Sequence, residues 1–168
     1  MIGKWIERLE GFVAFAGKLA GWSIFLLIGV TIFDVITRRF LVLGSTKLQE
    51  LEWHFHVILF ACCLGVAVLR DAHVRIEILR PRFTPRTLDW IEFLGSAFLL
   101  LPFVGLVIWF GASFTYASFL DGESSASATG LGHRWLIKIF LPFGFALLGL
   151  AGISVAAKSA LRLFGQKP

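Results

Sequence analysis

Charged residues are scarce in this 168-residue chain: Asp, Glu, Lys and Arg together make up 16% of it. A water-soluble domain carries about a quarter, so the shortage argues against one. Cysteine is nearly absent as well. Its two copies, Cys62 and Cys63, are neighbours. Adjacent residues on one helix cannot readily form a structural disulfide, so both thiols are read as small packing residues. No nucleophile, base and oxyanion-hole residues occur in a catalytic arrangement. Glu50 and Glu52 lie two apart, so on a helix they point about 200° away from each other and make a poor catalytic pair. The chain is therefore read as non-enzymatic. It also lacks the broken helices or internal repeats that frame a polar midplane site in an independent carrier. The sequence does not predict a protein that moves a solute alone.

What the chain has in abundance is apolar sequence, at 57% hydrophobic residues and a mean hydropathy of +0.81. Four apolar runs are cut apart by charges: 19–37, 53–69, 93–120 and 139–157. A helix of about 20 residues crosses the roughly 30 Å hydrocarbon layer, so each run can span once. The second is slightly short and the third long, mismatches that aromatic ends and tilt absorb. The expectation is an all-α integral membrane four-helix bundle, a single domain covering residues 1–168. The net charge of +5 sits in short loops between spans, a topology signal rather than a nucleic-acid footprint.

Orientation follows from where those cations fall. Eleven of the 16 Lys and Arg residues lie on the side of the two termini and the second loop, including Lys4, Arg8, Arg75, Arg80, Lys158 and Arg162. Arg38, Arg39, Lys47, Arg134 and Lys138 lie opposite. Positive residues are retained in the cytoplasm, which predicts both termini inside. Arg38 runs against the trend, and Asp34 four residues earlier can neutralise part of its charge. Upstream of the first span, Ile2, Trp5, Ile6, Leu9, Phe12, Val13 and Ala16 keep helical spacing. An amphipathic N-terminal helix on the membrane surface and a bent extension of span one account equally for that stripe. Glu7, Glu10 and Lys18 interrupt any signal-peptide core, so this segment is expected to be retained.

The loops and span ends hold the polar candidates. In the cytoplasmic loop, apolar and charged residues alternate from Val74 to Leu79, which suits a clamp on anionic lipid headgroups. Thr84 and Pro85 then read as N-cap and first helical position. The third loop, 121–130, is acidic, rich in small residues and without a metal-ligand or phosphate-cradle pattern, and it reads as flexible. Asp34 invites a proton or cation role, with an ion pair to Arg38 as the structural alternative. His54 and His133 at one face raise a bis-histidine haem, against which interfacial histidines are the simpler account. Gly17 with Gly21, and Ala61 with Gly65, have the spacing of close helix contacts, and Gly144, Gly149 and Gly152 thin the last span. Pro102 and Pro142 are predicted kinks.

Taken in order, Asp34-Val35 with Arg38 and Phe40, Gln49-Glu50-Leu51 with Trp53, Leu64-Gly65, Arg70 and His73-Val74-Arg75-Ile76-Glu77 form a pattern. Trp135 and the run Leu141-Pro142-Phe143-Gly144-Phe145-Ala146-Leu147-Leu148 complete it. This pattern resembles the small membrane subunit, DctQ type, of tripartite ATP-independent periplasmic (TRAP) transporters, over nearly the whole chain. Two positions depart from it: the family more often has Asn at 34 and often two adjacent acidic residues at 49 and 50.

The resemblance implies a multi-pass subunit of the bacterial inner membrane that scaffolds a large DctM-type elevator subunit. A DctP-type periplasmic binding protein would deliver an organic acid such as a carboxylate. The large subunit would use the sodium gradient, and no cofactor is expected on this chain. Asp34, Arg38, Glu50 and Trp53 then become candidate contacts at the outer face, near the large subunit or the binding protein. His73, Arg75 and Glu77 become candidates at the cytoplasmic face, against lipid or the large subunit, with Trp135 and Pro142 in the last span's signature. A haem-bearing membrane anchor of a redox complex and a small self-assembling proton-coupled exporter are the alternative readings.

Overall fold

A computed structural model describes residues 2–41, 44–70, 72 and 83–165. Among these residues seven α-helices follow in order: α1 (Ile2–Gly21), α2 (Ser23–Phe40), α3 (Thr46–Leu69), α4 (Pro85–Leu94), α5 (Leu101–Leu120), α6 (Trp135–Lys138) and α7 (Phe140–Leu163), with a π-helical segment Gly95–Leu100 joining α4 to α5. They make four stretches long and apolar enough to cross a membrane: Gly3–Phe40, Thr46–Leu69, Pro85–Leu120 and Trp135–Leu163. The fold is an all-α membrane helical bundle with four spans. Each helical stretch runs beyond its apolar run at one or both ends, taking in flanking charged residues.

The interruptions have local causes. Between α1 and α2, Gly21 lowers helix propensity. Ser23 Oγ also donates back to the Ala20 carbonyl at 2.6 Å, a local bond that bends helices. Pro102 has no N–H to give the Phe98 carbonyl, and the preceding turn widens so that the Leu101 N–H bonds to Ser96, five residues back. Thr84 caps α4 by accepting from Thr87 N at 3.3 Å, with Pro85 at the first helical position. Gly122, with φ of 57°, ends α5. It lets the Glu123 N–H return to the Ser118 carbonyl at 3.0 Å, a backbone turn that glycine adopts without strain.

The packing is an open row in the order α2, α3, α7, α5. The α3–α7 pair is its centre, α2 lies along α3, α5 along α7, and α1 fits against both α3 and α7. Among the described residues no substantial packing joins α5 to α2 or α3. A small apolar cluster of Val13, Ala20, Cys62 and Leu147 holds the centre together. Small residues let the central backbones meet. A Cβ at Gly144 would lie 2.5 Å from the Ala61 carbonyl oxygen, and one at Gly65 would lie 2.8 Å from that of Leu147. Gly17 is closed in the same way by Val66, whereas Gly21 faces open space.

This packing resolves the N-terminal stripe. Residue α1 positions Ile6, Val13 and Ala20 are buried, while Trp5 and Phe12 point away from the bundle. The helix is thus packed into the bundle as a bent extension of the first span. Outward, the row exposes a long apolar surface on both edges, with Phe25, Phe33 and Phe40 on α2 and Phe103, Trp109, Phe110 and Phe114 on α5.

Candidate functional site

Polar side chains gather at the two ends of the row. At the end that carries residues 121–134, here the loop end, α2 and α3 are joined by a three-residue network. Arg38 pairs with Asp34 one turn earlier. With its amide oxygen turned toward Arg38, Gln49 accepts from both terminal nitrogens, at 2.7 and 2.9 Å. Asp34 is 4% exposed, and its Oδ1 has no partner among the described residues. The neighbouring Thr37 turns its hydroxyl inward to the Phe33 and Asp34 carbonyls, both at 3.0 Å.

Glu50 faces the third loop. Its carboxylate accepts from Ser125 Oγ and, at 2.6 Å, from the Leu131 N–H. Thr129 donates to Thr46 at 3.3 Å, and the loop closes on itself through Ser125 N to Leu131 O and Arg134 N to Glu123 O, both at 3.0 Å. Lys138 pairs with Glu123 and sits 3.7 Å above the Phe114 ring. Donation from Lys138 is the main cause holding the Glu123 carboxyl below its ordinary pKa. The small-residue composition suggested flexibility, but each side of the loop is hydrogen-bonded, because a carboxylate on α3 supplies the acceptor the loop's serines and N–H groups need.

The remaining sequence candidates separate. Trp53 is 66% exposed, aimed away from the bundle. Trp135 meets Phe119 edge-on at 5.3 Å between ring centroids and fastens α6 to α5. Pro142 packs on α5 so closely that a Cβ at Gly111 would lie 3.3 Å from its Cδ. His73, Arg75 and Glu77 lie outside the described residues. His54 has its Nδ1 2.5 Å from the Glu50 carbonyl oxygen of its own helix. His56 instead borders an apolar groove of about 310 Å³ with Phe60, Cys63 and Leu64.

The opposite end, which carries the two termini, holds a network the sequence reading missed. Glu10 of α1 accepts from Ser154 Oγ and pairs with Lys158 at 2.5 Å. Arg162 reaches α4, donating from Nε to Asp89 at 2.7 Å and from Nη2 to Glu92 at 3.1 Å, with Ser159 between them. Glu10, Asp89, Glu92, Lys158 and Arg162 line a cavity of about 420 Å³ together with Val68, Leu69, Leu88 and Val155. The signal was present in the sequence: Ser154, Lys158 and Arg162 recur every four residues on α7, and Asp89 and Glu92 are one turn apart on α4, so each set shares a helix face.

Among the described residues no metal-binding cluster occurs, and the polar networks at the two ends are separate. The geometry is that of a membrane body fastened at both faces, with apolar flanks between them. Comparison with family models matches residues 27–162 to "Tripartite ATP-independent periplasmic transporters, DctQ component". The chain belongs to this family. Comparison with curated proteins gives no match. As a DctQ-type subunit it is a component of a TRAP transporter and a multi-pass membrane protein. The family generally works with DctM and DctP subunits.

Proposed function

We infer that this DctQ subunit is the static, non-catalytic small permease subunit of its transporter. It broadens the anchored part of a DctM-type elevator subunit in the bacterial inner membrane. The transporter takes up an organic acid delivered by a DctP-type binding protein, driven by the sodium gradient. A domain that slides through a bilayer needs a partner that stays in place, and extra helices enlarge the stationary surface. The observation that carries this reading is the open row. Its apolar edges far exceed its own small core, and the ion pairs among the described residues lie toward its two ends.

The test is reconstitution. Tagged chain extracted in mild detergent should bring down a large polytopic membrane protein. Vesicles holding both, with a sodium gradient and the binding protein outside, should accumulate an organic acid. Vesicles holding this chain alone should accumulate none, and uptake by them would overturn the assignment in favour of a self-sufficient carrier. A Soret band in the purified chain, lost on substituting His54 and His133, would overturn it in favour of a haem anchor.

A further inference from the structure

We propose that the cavity bounded by Glu10, Asp89, Glu92, Lys158 and Arg162 binds the headgroup of a zwitterionic aminophospholipid: a phosphate diester bearing a primary ammonium two carbons away.

Three observations carry this. The first is position and size. The cavity lies where α3 and α7 end and α4 begins, with Glu10 of α1 beside them, and the ends of membrane-crossing helices are where bilayer headgroups lie. Its volume of about 420 Å³ falls within the range of about 300–1,000 Å³ typical of ligand sites. Beside the charged groups, Val68, Leu69, Leu88 and Val155 give the cavity an apolar lining. A water-soluble ion has no use for that lining, whereas the glycerol and first methylenes of a lipid can cover it.

The second is the charge pattern, in which cations of one helix meet carboxylates of two others in partly exposed ion pairs. Lys158 and Arg162 stand one turn apart on α7, while the carboxylates come from α1 and α4. The cations keep capacity for a ligand. Lys158 is 40% exposed and Arg162 45%. Arg162 engages its neighbours through Nε and Nη2, leaving Nη1 without a partner among the described residues. A phosphate oxygen can accept there and from Lys158. The ammonium of the same headgroup can then donate toward Glu10 and Asp89.

The third is selectivity by what would be left unsatisfied. The cavity holds three carboxylates against two cations, so a headgroup with only a phosphate would bring negative charge to a lining already negative. A choline headgroup balances the charge, but its quaternary nitrogen has no N–H to give a carboxylate. A primary ammonium supplies both charge and donors. This differs from the anionic-lipid clamp expected of the second loop, and it requires only that the chain be embedded in a membrane.

The experiment measures lipid retention by native mass spectrometry on the full chain. The chain is stripped in detergent and titrated with phosphatidylethanolamine, phosphatidylcholine or phosphatidylglycerol of matched acyl chains. The ethanolamine lipid should be retained about tenfold better than either of the others, the weight of one charged hydrogen bond. Asp89→Asn should reduce that preference, as should the charge-balanced pair Glu10→Gln with Lys158→Gln, which guards against a folding defect from an unpaired charge, whereas Lys158→Gln alone should weaken retention of all three lipids. Glu50→Gln, at the far end, should leave it unchanged. Equal retention of the three lipids, a preference for phosphatidylglycerol, or a preference surviving all the cavity variants would overturn the proposal. So would complete displacement of the lipid by an equal concentration of free phosphoethanolamine, which would make the occupant a soluble metabolite. The readout needs no large subunit, so a negative result leaves the scaffolding role standing, and failure of copurification leaves this site untouched.

Discussion

At the scale of single residues, two acidic side chains do different work at the loop end. Asp34 is buried and takes its charge partner from Arg38, whose side chain is 48% exposed. Arg38→Ala should therefore leave a buried carboxylate without its counter-charge, at about 1–3 kcal/mol after allowance for screening of the exposed partner. Adding Asp34→Asn to Arg38→Ala should recover most of that loss, and thermal unfolding in detergent across the four combinations measures it.

Glu50 instead organises backbone outside its own helix. Glu50→Ala should free residues 121–134, seen as faster amide exchange in that loop with α3 unaffected. Loop-end protection equal to that of the unaltered chain would sink this reading. Glu123 adds a pH signature. Its folded pKa is depressed, mainly by Lys138, so the stability it contributes is fully present above its ordinary value of about 4.3 and is lost only as pH falls through the lower folded value. A spin label at Ser127 should stay immobile from neutral pH down to about that ordinary value and loosen below it. Glu123→Gln should give a label already loosened at neutral pH, leaving only the acid response that passes through Glu50 and Ser125.

At the scale of elements, the glycines of the central pair decide how near α3 and α7 come. Gly144→Leu would set a branched side chain against the Ala61 backbone, where only 2.5 Å is available to its first carbon. Overpacking of this kind costs about 1–3 kcal/mol, and here the obstacle is backbone, which cannot rotate aside. Gly21→Leu faces open space and should be nearly neutral, although the two glycines look alike in sequence. Comparing the melting temperatures of the two variants checks the pair.

The contrast shows what was legible beforehand. Span number, the Thr84-Pro85 helix start and the Ala61 and Gly65 contact are set by local composition, capping chemistry and spacing, all of which a sequence displays. Which small residues are buried depends on which helices become neighbours. The network of Glu10, Asp89 and Arg162 joins residues far apart in the chain, and only the assembled row brings them together.

At the scale of the whole molecule, hydropathy distinguishes lipid from water but not one neighbouring helix from another, so four spans could close into a ring or lie in a row. The structure takes the row, since α5 packs on α7 and α2 on α3 without substantial contact between the outer pair among the described residues. The consequence is measurable by proximity. With Cys62 and Cys63 replaced by Ala, cysteines introduced at Ile28 on α2 and Phe110 on α5 should fail to cross-link within one chain. Cysteines at Val104 on α5 and Gly149 on α7, neighbours in the row, test the opposite case and should join readily, because a Cβ at Gly149 would lie 3.1 Å from the Val104 side chain. In the assembled transporter, the Ile28 or Phe110 cysteine should instead cross-link to the large subunit if that edge is the one it covers. An intramolecular Ile28 to Phe110 bond would mean a closed bundle, and with it the loss of the broad apolar edge on which the scaffolding role rests.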